Sequence, residues 1–190
     1  MSAPPAAHSK ASSIGAMTPF GVKSPGVCET IEAMAIRLQF VREPHFTSRI
    51  IAWFGAWHFS HVDAVLPNGR LLGARADAAG GKPPGVHVRP VGYHAFDRCS
   101  IMEVPATWRQ SQDFYEFLYD QVGKPYDHKA IWGFIINRNW RDPGSWFCSE
   151  LMAAAGERSL ILPTLSMVAN KITPVSCTLV FSAAGGKFLT

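Results

Sequence analysis

Residues 145–151 read SWFCSEL, so that a cysteine stands between a glycine-containing loop and an apolar run. The pattern predicts a helix that begins near Cys148 and turns Leu151 and Met152 inward. A helix N-terminus offers free backbone N–H groups and a partial positive charge. Both stabilise a thiolate, the reactive form of cysteine, and the same N–H groups can hold an oxyanion. Cys148 is therefore a candidate nucleophile, and the alternative is a small buried hydrophobe at a helix start.

A cysteine nucleophile needs a base within hydrogen-bond reach, and His61 is the best-placed candidate. It lies in SHVDAVL at 60–66, where alternation and β-branched residues predict a strand. The turn sequence PNG at 67–69 and the segment RLLGA at 70–74 complete a predicted hairpin.

The rest of the chain predicts strands first and helices afterwards. Further strands are expected over 35–41, 86–90, 99–104 (ended by Pro105) and 175–181, and helices over 48–57, 111–122 and 129–137. This order favours the α+β class, with a small antiparallel sheet packed against helices.

The length of 190 residues suits one domain with a sizeable core. Residues 1–30 are rich in Ala, Ser, Pro and Gly, and we expect them to be disordered before a domain over 31–190. The net charge of +4 comes without a dense basic run, which argues against a nucleic-acid partner. Scattered arginines, Arg75 and Arg89 among them, predict a solvated mixed surface.

No signal peptide and no membrane-spanning segment is evident in the sequence, so a cytoplasmic location is the default expectation. Four cysteines without a CxxC pair, and histidines without an HExxH motif, predict neither a metal site nor a cofactor. Two of the cysteines, Cys99 and Cys177, are expected to be core or strand residues in the reduced state.

Three short motifs occur in a distinctive order: FSHV at 59–62 before a hairpin, GKPYD at 123–127 and WFCSEL at 146–151. Together they resemble the permuted papain-like amidases of the NlpC-type cell-wall peptidase superfamily, in which the histidine precedes the cysteine. Residues 172–174, ITP, are similar to the C-terminal "TP" element of that family. The resemblance covers about residues 35 to 180 and implies a circularly permuted papain-like fold.

Roles follow from the resemblance residue by residue. Cys148 matches the family nucleophile, and His61 matches the general base that later protonates the leaving group. Tyr126 matches a tyrosine that lines the site and can donate to the oxyanion; the alternative is a packing tyrosine at a turn. Glu150 is expected to fix local structure at the helix start.

The third member of the triad departs from the family pattern. The family often has a polar residue on the strand after the histidine strand, whereas this chain has Gly73 in the aligned stretch. Asp63 is a substitute, because a residue two positions after His61 points to the same face of the strand. Asp77, His87 and a Cys–His dyad without a third residue remain open.

The resemblance implies a thiol hydrolase that cleaves an amide through a Cys148 thioester. The expected substrate is a peptide, a peptidoglycan stem or a lipid-linked amide. One alternative is a thiol acyltransferase, as in the lecithin–retinol acyltransferase-like relatives. Another is a non-catalytic binding module on the same fold, which the missing side chain at Gly73 would favour.

Overall fold

The computed structural model describes residues 34–43, 59–128, 144–163 and 172–190. The N-terminal segment 1–30 and the helices predicted over 48–57 and 129–137 lie outside the described residues.

One antiparallel sheet of six strands forms the centre of the described structure. The strands are β1 (Met34–Arg42), β2 (His61–Val65), β3 (Leu71–Arg75), β4 (Gly85–Arg89), β5 (Arg98–Ala106) and β6 (Lys187–Phe188). Their spatial order is β4-β3-β2-β1-β5-β6. Three helices follow β5 in the described chain: α1 (Trp108–Asp120), α2 (Cys148–Arg158) and α3 (Pro174–Ala183). The predicted α+β class is confirmed.

The predicted hairpin is confirmed as β2 and β3. Gly69 has a φ of +79°, a conformation that favours glycine, and its N–H donates to the Leu66 carbonyl at 2.8 Å. The Asn68 side chain accepts a hydrogen bond from the Arg70 N–H at 3.0 Å. This turn fixes the register of the strand that begins with His61.

The fifth strand is longer than the sequence predicts, because it continues through Pro105 to Ala106. Proline has no N–H for a ladder hydrogen bond and is tolerated at sheet edges. Pairing with β6 involves only Met102 and Glu103, so Pro105 lies beyond the end of β6 and pairs with Ala35 of β1 alone.

The stretch 175–181 was expected to be a strand and is instead part of α3, so this prediction is wrong. The β-branched residues suggested a strand, but the local start signal is helical. Thr173 accepts a hydrogen bond from the Ser176 N–H at 3.0 Å, and Pro174 occupies the first helical turn. Cys177 and Phe181, four residues apart, are both fully buried on one helix face.

The core lies between the sheet and the helices. Alternate strand residues such as Val62 and Ala64 belong to it, together with Leu118 of α1, Leu151 of α2 and Phe181 of α3. Since successive strand residues point to opposite faces, His61 and Asp63 alternate with this core set. None of the helices in the described ranges has the length and apolar character needed to cross a bilayer.

Candidate active site

Cys148 is the first residue of α2, as the sequence predicts, and its side chain is almost completely buried. Glu150 accepts a hydrogen bond from the Phe147 N–H at 3.4 Å, which ties the carboxylate to the helix start. This contact is the local structural role expected for Glu150. An acidic residue in the first turn also interacts favourably with the helix dipole.

The two motifs GKPYD and SWFC meet in the fold. Residues Tyr126 and Trp146 form a parallel bridge, in which the Trp146 N–H donates to the Pro125 carbonyl at 3.1 Å and the Asp127 N–H donates to the Trp146 carbonyl at 3.1 Å. This short ladder places Tyr126 beside the start of α2. Its ring centroid lies 5.8 Å from that of Phe147.

Tyr126 is a buried packing residue, and its pKa is influenced by Cys148. Burial raises the pKa of Tyr126 well above its usual value, and a Coulombic interaction with Cys148 raises it further. The phenol is therefore protonated and carries a proton that it can donate.

His61, the first residue of β2, interacts with Cys148 strongly enough for the thiol to raise the pKa of the imidazole. Its Nε2 atom lies 2.9 Å from Oδ1 of Asp63. Of the alternatives considered for orienting the imidazole, Asp63 is the residue in contact with it. Because Asp63 occupies Nε2, Nδ1 is the ring nitrogen left for the thiol.

The charges of this pair stabilise each other. Burial alone would lower the pKa of His61, but the charge and hydrogen bond of Asp63, with a smaller effect of Cys148, raise it to about 10. Burial alone would raise the pKa of Asp63, but His61, Tyr93 and Arg75 lower it below 3.8. At neutral pH the pair is therefore an imidazolium and a carboxylate.

Gly73 explains how Asp63 fits. A Cβ atom at position 73 would collide with the Asp63 carboxylate. The missing side chain on β3 therefore leaves the space that a carboxylate from β2 occupies.

The other candidates for the third residue interact elsewhere. Asp77 accepts hydrogen bonds from Arg75, through Nε at 2.9 Å and through Nη2 at 3.1 Å. His87 pairs with Gly73 in the β3–β4 ladder. Burial lowers the pKa of His87, and the charges of Arg89 and Lys82 lower it further.

Sequence reasoning missed the polar groups behind Asp63. Arg75 and Arg89 were expected on a solvated surface, yet both are buried, at 3% and 1% exposure. The Tyr93 hydroxyl donates to Oδ2 of Asp63 at 2.7 Å and accepts from Nη1 of Arg75 at 3.1 Å. The sequence did hold one signal of their burial. Each arginine lies in a short strand, where it alternates with core residues.

The remaining described cysteines differ in environment. Cys99 lies on β5 as expected for a strand residue, but it is exposed. Cys177 is a core residue of α3, and burial raises its pKa well above the usual value, with a further contribution from Cys148.

Comparison with known proteins shows that this chain is similar in fold to a solved structure. No protein-family model and no curated sequence matches the chain. Among solved structures, the chain is similar to the crystal structure of the metalloprotein YiiX from Escherichia coli O157:H7, described as DUF1105, with a TM-score of 0.52 and 15% identity. The match covers 84% of this chain and 97% of that one, so the likeness extends over nearly all of the YiiX chain.

That neighbour is described as a metalloprotein. Within the described residues, no group of three or more His, Cys, Asp or Glu side chains could hold a metal ion. Nε2 of His61, a natural metal ligand, is engaged by Asp63.

Proposed function

We propose that this chain is a papain-like thiol hydrolase that cleaves an amide through a thioester on Cys148. The observation that carries the proposal is the buried His61–Asp63 pair, with its 2.9 Å contact, next to a cysteine at a helix N-terminus. Nucleophile, imidazole and carboxylate are the three parts that thiol and serine hydrolases use. The order of the three sequence motifs supports the same class of reaction.

In the first half-reaction the sulfur of Cys148 attacks the substrate carbonyl carbon. The carbonyl oxygen becomes an oxyanion, for which N–H groups of the first turn of α2 are donors because they lack intrahelical acceptors. We assign the hydroxyl of Tyr126, which keeps its proton, as a further donor to this oxyanion. As the tetrahedral intermediate collapses, the C–N bond breaks and the His61 imidazolium gives its proton to the leaving amine.

In the second half-reaction water resolves the thioester. Neutral His61 takes a proton from the attacking water, the C–S bond breaks, and the substrate leaves as a carboxylic acid. Transfer to an acceptor other than water would follow the same steps. Peptides, peptidoglycan stems and lipid-linked amides all contain the required amide bond.

The test compares the alkylation rates of the cysteines at neutral pH by site-resolved mass spectrometry. Accessibility alone would make Cys99 react faster than Cys148, since Cys99 is exposed and Cys148 is buried. Activation by His61 reverses that order, so we expect Cys148 to react first. The variant His61→Ala should abolish the preference, and Cys148→Ala should also abolish hydrolysis of an amide substrate.

A folded wild-type protein in which Cys148 reacts no faster than the exposed Cys99 would refute the hydrolase proposal. The non-catalytic binding module would then be the better description. Hydrolysis that persists in Cys148→Ala would refute the role of the thiol directly.

A further inference from the structure

Tyr93 lies between a buried arginine and the carboxylate of the site. Its hydroxyl is 2.7 Å from Oδ2 of Asp63, 3.1 Å from Nη1 of Arg75 and 3.4 Å from Nε2 of His61. The segment that carries Tyr93 connects β4 to β5, and it is separate in sequence from the motifs that contain Cys148 and His61. Tyr93 is therefore a residue of the site that these motifs do not include.

The direction of each hydrogen bond follows from the chemistry of the donors. An arginine guanidinium only donates, so the hydroxyl oxygen of Tyr93 must accept from Arg75. A hydroxyl has one proton, and Arg75 leaves that proton free for Asp63. A carboxylate only accepts, so Nε2 of His61 must be the protonated partner of Oδ1.

We propose that Tyr93, oriented by Arg75, is a positioning residue that holds the Asp63 carboxylate and thereby turns Nδ1 of His61 toward Cys148. The inference rests on the proposed thiol chemistry and adds two residues, Tyr93 and Arg75, to its machinery. Asp63 is fixed at both oxygens, by His61 at one and by Tyr93 at the other. A carboxylate held at both oxygens cannot rotate away from the imidazole without losing a hydrogen bond.

The guanidinium that orients Tyr93 is itself held firmly. Arg75 pairs with Glu43 on one side and with Asp77 on the other. Its Cζ atom lies 5.1 Å from the centroid of the Tyr93 ring, a cation–π distance. Two ion pairs and a cation–π contact therefore fix the donor that sets the hydroxyl direction.

The surroundings of Tyr93 are shaped to admit its ring. A Cβ atom at Gly80 would lie 2.9 Å from Cβ of Tyr93, so a side chain there would push the ring away. Arg89 lies 5.7 Å from the ring centroid and donates to the Gly73 carbonyl at 3.0 Å. The same cluster thus holds the tyrosine and the strand position that makes room for Asp63.

The substitution Tyr93→Phe removes only the hydroxyl and tests the proposal. The hydrogen bond from Tyr93 helps to keep the pKa of Asp63 low, together with His61 and Arg75. Arg89 also interacts with Asp63 through its charge. Without the hydroxyl, Asp63 should take up a proton at higher pH, and the imidazolium would lose its carboxylate there.

We therefore expect the acid limb of the pH–rate profile for Cys148 alkylation to move to higher pH in Tyr93→Phe. At neutral pH the rate should fall roughly 10- to 100-fold, the effect of losing one hydrogen bond to a charged group. The matched control is Tyr115→Phe, which removes a hydroxyl that donates to the Val65 carbonyl at 2.9 Å. That control should keep the wild-type acid limb, and thermal unfolding should be recorded for both variants.

The outcomes are distinct. A Tyr93→Phe profile equal to that of Tyr115→Phe would overturn the positioning role while leaving the hydrolase proposal intact. Wild-type Cys148 that lacks preferential alkylation would instead refute the hydrolase proposal. Should Tyr93→Phe fail to fold, Asp77→Asn loosens Arg75 from its exposed side, and the acid limb should move in the same direction by a smaller amount. An unmoved limb in a folded Asp77→Asn would count against the proposal.

Discussion

Asp63 and Gly73 differ from the pattern of the family that the sequence resembles in which strand carries the polar residue. The family pattern places the polar residue on the strand after the histidine, but here the carboxylate comes from β2 and the empty position from β3. The carboxylate lies where a side chain at position 73 would be. Under the proposed chemistry, Asp63 orients the imidazole from two positions after it in sequence, and its carboxylate fills the space that a side chain at position 73 would need.

The first prediction tests this exchange by reversing it. Asp63→Gly alone should lower the Cys148 alkylation rate roughly 10-fold or more, because the imidazolium loses its charged partner. Gly73→Asp alone should destabilise the protein, because two carboxylates would compete for one space. The double variant, with Gly at 63 and Asp at 73, should recover part of the rate lost in Asp63→Gly.

The comparison that matters is the double variant against Asp63→Gly, measured by site-resolved alkylation and thermal unfolding. The control is Asp63→Ala, which removes the carboxylate and offers no replacement. A folded double variant with a rate no higher than that of Asp63→Gly would show that position 73 cannot supply the carboxylate.

Local sequence was sufficient for some residues of the site and insufficient for others. Cys148 follows from a helix-start pattern, and the shared face of His61 and Asp63 follows from the period of a strand. Tyr93 has no such local pattern, because its hydrogen bond to Asp63 spans 30 residues of sequence and depends on the folding of the β4–β5 connection. Long-range contacts of this kind are decided by packing.

At the level of the elements, helix starts are set by caps. The first helix begins at Trp108, earlier than the predicted Ser111, because Thr107 caps it. The Thr107 side chain accepts from the Gln110 N–H at 3.2 Å, and the Gln110 side chain accepts from the Thr107 N–H at 2.9 Å. This reciprocal pair is a capping box with glutamine in the third position.

The second prediction follows from this cap. Thr107→Ala should lower the free energy of unfolding by about 1 kcal/mol, the usual cost of losing an N-terminal cap. Thr107→Ser keeps the hydroxyl and should cost much less. Urea denaturation measures both, and Cys148 alkylation should be unchanged in either variant. Equal stability of the alanine and serine variants would show that the hydroxyl does not stabilise α1.

The third helix shows why a strand was predicted in its place. Its β-branched residues, Val175, Thr178 and Val180, favour strands on intrinsic preference. The cap at Thr173 and the burial of Cys177 and Phe181 outweigh that preference. Intrinsic preference amounts to tenths of a kcal/mol per residue, whereas burying one large apolar side chain contributes about 2 kcal/mol, so packing decides.

For the molecule as a whole, the site requires charged groups to be buried within the sheet layer. His61, Asp63, Arg75 and Arg89 are all buried, and each is paired or hydrogen-bonded. Breaking one member of such a set leaves another charge buried without compensation. The stability of the whole protein should therefore depend on the protonation of the same groups that the proposed chemistry uses.

The third prediction concerns that dependence on pH. His61 has a pKa raised from 6.5 to about 10, so its contribution to stability is complete below pH 6.5 and is lost as the pH rises through about 10. Asp63 has a lowered pKa, so its contribution is present above pH 3.8 and is lost as the pH falls through the lowered value. The pair should stabilise the fold most between these limits.

Asp63→Asn removes the carboxylate while keeping the shape of the side chain. At pH 6.5 we expect it to lower the free energy of unfolding by about 3 kcal/mol, the range for breaking a buried ion pair. Near pH 10 the difference from wild type should become small, because His61 is losing its charge in the wild-type protein as well.

The control Glu103→Gln removes a carboxylate from the exposed Arg37 pair and should cost less than about 1 kcal/mol at either pH. Urea denaturation at the two pH values gives both differences, and an Asp63→Asn penalty that is the same at both would mean that the His61–Asp63 pair is not ionised in the folded protein.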